Sequence, residues 1–534
     1  MHSFFRRFYT FCHCCAAVLC LTLSAFLFAG GFLTTAYSTD MLSQTVLFRL
    51  DNPLWNLPGL ILPGILFLWI FRRKELHPRR LFIIVALWYA AVGFILILFG
   101  KTVPAADSMS VYLTAEELAG GNTAVISPDA SYLSYYPQQI GLTAFYELLI
   151  RLWKMLPTDF VAFHFIKIVN VLLSCCILFF QAKTVKLLWK DVQTECCYLL
   201  LAAMHLPFIM YTSFVYGEVP SFTCISAGLY FFFRFLQSPG SRRGLPFGLC
   251  SIAALSLGVA LRKNNLIFVI AVLIVVFLQY LRDLKLRLLL FCLLCAFCSF
   301  LILPGIQKYY ELRACSELDP GVPAISYLAM GMQDVPGTRC GGWYNGFNFN
   351  TYAETGMDQE ATAFASRQAI RERLKAFREN PGYAVSFYLK KHLSQWADGT
   401  YASRQATLAT YEGESPRARF FAELYEGTYS RPFIEYSNLY QNILYLGFLS
   451  FCLFQYRRFR HGAGAAATQP QDPLSDLPVW TGLIGVLGGF LFHTFWEANS
   501  RYILLYGLMM LPFSARGIRV LLQWLAKRFP VAKK

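Results

Sequence analysis

Four short stretches carry the residues of this 534-residue chain that could do chemistry. Asp107 lies in the segment from Lys101 to Tyr146, which ends in Tyr135-Tyr136-Pro137-Gln138-Gln139. Glu218 sits in Tyr216-Gly217-Glu218-Val219-Pro220, and Arg262 and Lys263 open Arg262-Lys263-Asn264-Asn265. Glu497, Arg501 and Tyr502 share Glu497-Ala498-Asn499-Ser500-Arg501-Tyr502. Two carboxylates can share a divalent cation, or one can act as a base. A basic turn can hold a phosphate, because arginine presents a fork of donors matched to phosphate oxygens. Each stretch also has a plainer reading. Asp107 would be a solvated helix end, Glu218 a turn residue, Arg262 and Lys263 a polar hairpin, and Glu497 with Arg501 an ion pair. No Walker loop, Gly-x-Ser-x-Gly or His-Glu-x-x-His occurs in the chain.

Long apolar segments must position these residues. The chain is 56% hydrophobic and only 15% charged, against roughly a quarter charged in soluble domains. The apolar residues fall in blocks of about 20, the length that crosses a bilayer as a helix. The fold class expected is an all-α polytopic membrane protein with about 12 transmembrane helices. The expected spans are 11–34, 55–71, 81–100, 160–180, 196–213, 219–236, 245–261, 264–281, 286–304, 434–455, 479–495 and 501–522. The net charge of +16 is read as basic cytoplasmic loops rather than as a nucleic-acid surface. Of the 16 cysteines, all but Cys315 and Cys340 fall in these spans and behave as small hydrophobes. Cys315 and Cys340 could pair in an oxidising compartment. His13 among Cys12, Cys14 and Cys15 lacks metal-finger spacing.

Arg6 and Arg7 put the N-terminus inside, and alternation then leaves both termini cytoplasmic in a plasma-membrane protein. The strongest basic clusters, Arg72-Arg73-Lys74 and Arg457-Arg458, come out inside as well. This holds only if residues 137–156 do not cross. Glu147, Arg151 and Lys154 interrupt that stretch, so it reads as an amphipathic helix on the outer surface. Asp107, Glu218, Arg262, Lys263, Glu497 and Arg501 then all meet the outer membrane boundary. Several acids and bases on one face point to a site. A carboxylate and a phosphate clamp at a membrane surface suit chemistry on a lipid-linked phosphate ester.

Three regions follow. Residues 1–304 form an N-terminal transmembrane region with a catalytic outer loop at 101–159, and 434–534 a C-terminal transmembrane region with a cytoplasmic tail. Between them, 305–433 is one mixed extracytoplasmic loop domain. Its Gly-, Pro- and Asn-rich first half reads as turns. Charged helices are predicted from Asp358 to about Glu379 and from Tyr383 to Trp396, broken at Asn380-Pro381-Gly382. The aromatics Trp343, Tyr344, Phe347, Phe349 and Trp396 read as this domain's core, with stacking on sugar rings as the alternative.

On these residues the chain resembles membrane glycosyltransferases of the GT-C fold, on the protein O-mannosyltransferase and aminoarabinose-transferase side (glycosyltransferase family 39-like). The resemblance runs over 81–281 and 479–515. Its marks are Asp107 in the first large outer loop, Tyr136-Pro137 opening a surface helix, and Glu218 at the second outer turn. Gly258-Val259-Ala260-Leu261-Arg262-Lys263 and Glu497 with Arg501-Tyr502 complete the set. The resemblance implies transfer of a sugar from a polyprenyl-phosphate donor on the outer leaflet, to a glycan, lipid or protein acceptor of the cell envelope. Asp107 would orient or deprotonate the acceptor. Glu218 would help position it or bind a divalent metal, Mg or Mn. Arg262 or Lys263 would hold the donor phosphate, and Arg501, held by Glu497, would be a second phosphate contact. Tyr136, Gln138 and Tyr502 would complete the substrate contacts. Membrane lipids are expected partners and nucleic acid is not. The rival readings are a polysaccharide polymerase or ligase, a secondary transporter or lipid flippase, and a non-enzymatic assembly protein. Against the transporter, the polar residues gather at one face rather than at the bilayer midplane.

Overall fold

The computed structural model describes residues 2–38, 45–73, 76–100, 102–127, 131–157, 160–238, 241–335, 340–407, 416–464 and 477–528. Its N-terminal half runs α1 (His2–Leu33), a two-stranded hairpin of β1 (Thr34–Ser38) and β2 (Val46–Leu50), α2 (Pro53–Arg73) and α3 (Pro78–Gly100). Next come α4 (Asp107–Ala119), α5 (Tyr132–Tyr135), α6 (Ile140–Lys154), α7 (Ala162–Trp189), α8 (Val192–Ala203), α9 (Leu206–Met210), α10 (Glu218–Gln237), α11 (Ser241–Leu261), α12 (Leu266–Asp283) and α13 (Leu286–Ala314). A helical cap follows: α14 (Ala324–Gly331), α15 (Phe347–Glu354), α16 (Gln359–Glu379), α17 (Pro381–Trp396), α18 (Ser403–Ala406) and α19 (Pro416–Tyr425). The chain ends with α20 (Ser430–Gly464), α21 (Leu477–Phe495) and α22 (Ser500–Arg528). The hairpin is antiparallel, with Thr34 opposite Leu50 and Ser38 opposite Val46.

Among the described residues, ten helices are long and apolar enough to cross a membrane, so the chain is an all-α polytopic membrane protein. Two of the twelve expected spans differ from a plain apolar helix. The first, 196–213, is broken into α8 and α9, which bend by 61°. Pro207 cannot donate to the carbonyl four residues back, and the carbonyls freed at the break need partners in a membrane. Four side chains supply them. Tyr440 donates to Leu201 O at 3.0 Å, Tyr89 to Ala202 O at 2.8 Å, Trp88 Nε1 to Ala203 O at 3.1 Å and Tyr436 to Met204 O at 2.7 Å. The second, 434–455, lies within α20, which has 35 residues but is not among the ten. The reason is a face carrying Ser437, Asn438, Gln441 and Asn442, all buried against protein rather than turned to lipid. α20 runs along α22, and a Cβ on Gly517 would meet the carbonyl of Gly447 at 1.8 Å. Only glycine permits that backbone approach, as at other tight membrane-helix crossings.

The expected surface helix is α6, and it is too short to cross. Its partly buried Glu147 accepts hydrogen bonds from Arg151 at 2.8 Å, from Arg313 at 2.6 Å and from Tyr310. Burial alone would raise this carboxyl, but those donors win and hold it below its ordinary value. α4, which packs on α6, was not predicted; the segment 101–159 read as a loop with one helix.

The described cap mixes helices with irregular connections. α16 and α17 fall where charge and spacing put them, with Asp358 and Asn380 capping their first turns (Ala361 N to Asp358 Oδ1 2.8 Å; Tyr383 N to Asn380 Oδ1 3.0 Å). α14 and α15 occupy the stretch expected to be turns. Trp343 and Trp396 are core, with Trp343 Nε1 donating to Ser394 Oγ at 2.7 Å. Cys315 is exposed and Cys340 buried, and the two are not bonded. His13 is buried in α1 with its ring edge-on to Trp480.

Candidate functional site

One end of the helix bundle, under the cap, holds a cavity of about 1160 Å³. Asp107, Arg262, Lys263, Glu497, Arg501, Tyr502, Tyr136 and Gln138 all line it. Residues separated by nearly 400 positions thus meet because α3, α11 and α21 end, and α4 and α22 begin, at the same end of the bundle.

Asp107 is the first residue of α4, where a carboxylate is favoured by the helix dipole. The preceding segment is held from below by Lys167 of α7, whose ammonium donates to the Thr102 carbonyl and to its Oγ1 at 2.9 Å. That accounts for a lysine buried inside a span. Ala106, immediately before Asp107, has φ 49° and ψ −131°, a conformation that costs a non-glycine residue of order 1–3 kcal/mol. Ser108 closes the turn, accepting from Ala105 N at 2.9 Å and donating to Ala105 O at 2.8 Å. The Asp107 side chain is open to the cavity and ringed by protein beyond it. That enclosure raises the carboxyl above its ordinary value, while Arg501 and a hydrogen bond from Tyr132 pull it down and Glu218 adds to the rise.

Beside Asp107 lies a three-residue charge centre. Glu218 is 1% exposed and pairs with Arg262 of the α11–α12 turn and with Arg501 of α22, the latter from Nε at 3.5 Å. The guanidinium of Arg501 also sits 5.2 Å from the ring centre of Tyr216 and 5.3 Å from that of Tyr502; Arg262 sits 5.4 Å from Tyr502. The turn that carries Arg262 is closed by Asn265, which donates from its backbone to Arg262 O at 3.0 Å and from its side chain to Gly258 O at 2.9 Å. α6 locks that turn from the other side: a Cβ on Gly141 would meet Ala260 O at 2.1 Å. Two guanidiniums share one carboxylate, so the centre keeps an excess positive charge toward the cavity.

Glu218 itself does not line the cavity, because the two arginines lie between. By sequence Glu218 has a place as a catalytic carboxylate or metal ligand; the fold sets its side chain behind the cavity wall. A carboxylate already taken by two guanidiniums does not fit Mg or Mn, and among the described residues no group of three His, Cys, Asp or Glu could hold a metal ion. Arg501 is likewise held by Glu218 rather than, as expected, by Glu497.

Glu497 belongs to the short segment between α21 and α22. Tyr502 donates to its Oε1 at 3.0 Å, and Asn499 Oδ1 accepts from Arg501 N at 2.9 Å. Two further contacts hold this segment. Ala498 N donates to Gly342 O at 2.8 Å. The buried ammonium of Lys391 donates to the carbonyls of Thr494 at 3.0 Å, Trp496 at 2.8 Å and Gly331. Burial pushes Lys391 down to about 7. Burial likewise pushes Glu497 up to about 7, against the Tyr502 hydroxyl and Arg501 and with Asp107. The folded protein therefore holds a proton on Glu497 that the unfolded chain releases near its ordinary value of 4.5. Stability from this group is full below that value and is lost as pH rises toward about 7. Glu497→Gln should flatten the fall in melting temperature between pH 5 and 8 (about those limits), as differential scanning fluorimetry reads it. An unchanged slope would mean that the carboxyl titrates normally.

The cavity has a second, apolar part formed by Val259, Ile267, Ile270, Phe300 and Leu303. Ile270 is 44% and Phe300 57% exposed on the lipid-facing surface of the bundle. The cavity thus reaches from the polar centre to the exposed apolar surface of α12 and α13. Site residues that sequence reasoning missed are Tyr132, Gln139, Tyr216, Tyr327, Asn348, Gln405 and Trp496, all on the cavity wall, and Lys391 behind it. Tyr216 is two residues from Glu218 in sequence, which is a local signal. Lys391 sits in a charged amphipathic helix with no local sign that its head is buried.

A family model described as "Conserved hypothetical integral membrane protein" matches residues 9–458. No curated protein matches. Among solved structures, the archaeal oligosaccharyltransferase AglB from Archaeoglobus fulgidus, in complex with an inhibitory peptide and a dolichol-phosphate, aligns with 87% of this chain and 53% of its own. The chain thus spans about half that enzyme's length, at 12% identity and a TM-score of 0.43. At that score no residue role is transferred from one to the other.

Proposed function

We propose a reaction for this chain, which belongs to the family of conserved hypothetical integral membrane proteins: a sugar moves from a polyprenyl-phosphate donor to an acceptor hydroxyl. The observation that carries this reading is a single cavity joining a carboxylate, an arginine centre of excess positive charge and an apolar arm open to lipid. A lipid phosphate has the matching halves. Its chain lies between α12 and α13, and its phosphate meets Arg262, Lys263 and Arg501. The finer resemblance, to the protein O-mannosyltransferase and aminoarabinose-transferase group, agrees with this order of parts.

In the reaction the acceptor oxygen attacks the anomeric carbon. The bond from that carbon to the phosphate oxygen breaks, and its electron pair leaves with the polyprenyl phosphate. Asp107 takes the proton from the acceptor hydroxyl; its raised affinity for a proton suits a base. Arg501 and Arg262 stabilise the charge that develops on the leaving phosphate, with no reorganisation at the moment of reaction. Glu218 is a positioning residue that holds the two guanidiniums in place behind the cavity wall. Glu497 anchors Tyr502 beside them. Much of the rate comes from orientation of two bound substrates. Arg73, Arg242 and Arg243, Lys285 and Arg287 lie at the other end of the bundle, a charge bias that supports a cavity on the outer side.

The test is turnover of radiolabelled polyprenyl-phosphate sugars by the purified protein in proteoliposomes. Release of polyprenyl phosphate with transfer of label is the expected result. Movement of intact donor across the bilayer without cleavage would replace the transferase by a flippase. Neither cleavage nor movement across the panel would sink the lipid-phosphate reading.

A further inference from the structure

The cap and the floor of the cavity meet at one buried ammonium. Lys391 of α17 is 0% exposed and does not line the cavity. Its three N–H groups go to three backbone carbonyls. These belong to Gly331 at the end of α14, to Thr494 at 3.0 Å in the last turn of α21, and to Trp496 at 2.8 Å just beyond it. A helix leaves its last carbonyls without partners, and a cation is favoured there. One ammonium thus closes two helices, and none of its donors is left for a ligand. The stem of Lys391 passes close under the turn at Gly342. A Cβ on that glycine, which has φ 80°, would meet Lys391 Cε at 2.7 Å. Gly342 O in turn accepts from Ala498 N at 2.8 Å.

This clamp stands directly behind residues of the site. Trp496 and Glu497 follow Thr494 in the chain, and Tyr327 of α14 stacks on Trp496 with ring centres 5.4 Å apart and planes 4° from parallel. Trp496, Glu497 and Tyr327 all line the cavity. Glu497 accepts from Tyr502, which follows Arg501 in the first turn of α22. Lys391 therefore fixes where the α21–α22 segment stands against the cap. The cap also has a core of its own in Met332, Phe377 and Phe387, so its stability and its placement can be tested apart.

We propose that Lys391 is a positioning residue: it holds the α21–α22 segment against α14, so that Glu497, Tyr502 and Arg501 stand in place before substrate binds. As an effect on turnover the inference rests on the transferase reading, but the placement can be measured without turnover. Lys391→Met keeps the stem and removes the three donors. Hydrogen–deuterium exchange of the full chain in nanodiscs, read by mass spectrometry, should quicken in peptides covering 494–502 and 327–333 and stay as in wild type elsewhere. Its kcat with polyprenyl-phosphate sugar should fall between about tenfold and 10²-fold, the cost of misplacing a site by about 1 Å. Phe377→Ala is the control, since it opens the cap's own core and touches none of the three carbonyls. It should lower the melting temperature at least as much, with kcat within a few-fold of wild type. Gly342→Ala pushes on the Lys391 stem instead, and should repeat the exchange pattern and the kcat loss if Lys391→Met does not fold. An equal kcat loss in Phe377→Ala overturns the proposal, because Lys391 would then act through stability alone. So does wild-type kcat, or unchanged exchange in the two segments, in the folded Lys391 variant. No turnover by the wild type, with quickened exchange in the variant, sinks only the transferase reading. Wild-type turnover with unchanged exchange in the variant sinks only this inference.

Discussion

Asp107→Asn should lower the turnover of polyprenyl-phosphate sugar by roughly 10²–10⁴-fold, the span that a positioned general base supplies. The amide keeps the size and the hydrogen bond from Tyr132 but cannot take a proton. Donor KM should change little, because the proposed contacts of the donor phosphate are Arg262 and Arg501 rather than Asp107. Folding should not suffer. The wild-type carboxyl is raised by its enclosure, so a neutral side chain relieves a cost rather than adding one. The measurement is a steady-state comparison at matched amounts of folded protein, with melting temperature as the control. Activity within a few-fold of wild type would remove Asp107 from proton transfer.

Arg501→Ala should be the second large loss, about 10²–10³-fold in kcat, as for deletion of one oriented donor to a charge that forms in the transition state. Unlike the Asp107 variant, it should also raise donor KM and lower stability. It strips Glu218, 1% exposed, of one of its two guanidinium partners, and removing one partner of a buried pair costs on the order of 3–5 kcal/mol. Arg262 remains, so the stability loss should fall short of that range. Arg501→Lys separates clamp from charge. A lysine ammonium restores one positive charge but not the fork or the stacking on Tyr216 and Tyr502. It should recover stability better than kcat. Full recovery of kcat by lysine would mean that Arg501 acts as a point charge, away from the leaving phosphate.

Much of this architecture is legible along the chain. Apolar blocks of bilayer length identify the spans because a lipid environment imposes a length and tolerates few charges. The two capped helices of the cap are legible because Asp358 and Asn380-Pro381 are local signals that a helix needs at its start. The candidate site is legible in part for the same reason. A charge at a span end stands out against apolar neighbours, which is how Asp107, Arg262, Lys263, Glu497 and Arg501 were found.

What local pattern could not carry is partner choice. Glu218 and Arg501 are separated by most of the chain, and only the meeting of the first turns of α10 and α22 with the α11–α12 turn puts one carboxylate behind two arginines. That packing sets Glu218, a candidate catalyst by sequence, behind the cavity wall. The break at 204–205 escaped detection because its cost is met by Tyr89, Trp88, Tyr436 and Tyr440 from distant helices. α20 looked like an ordinary span because its polar face is satisfied only by its neighbours. Lys391 and Gln405 gave no sign at all, since a lysine in an amphipathic helix and a glutamine after a turn are ordinary until a tertiary contact buries them.

By itself, then, the sequence determined that this protein crosses a membrane many times and which charges end at one boundary, because burial in lipid and helix capping act on neighbouring residues. Only the tertiary structure decided which of those charges face a cavity and which stand behind it, because ion pairing and enclosure act through space between residues that the chain keeps far apart.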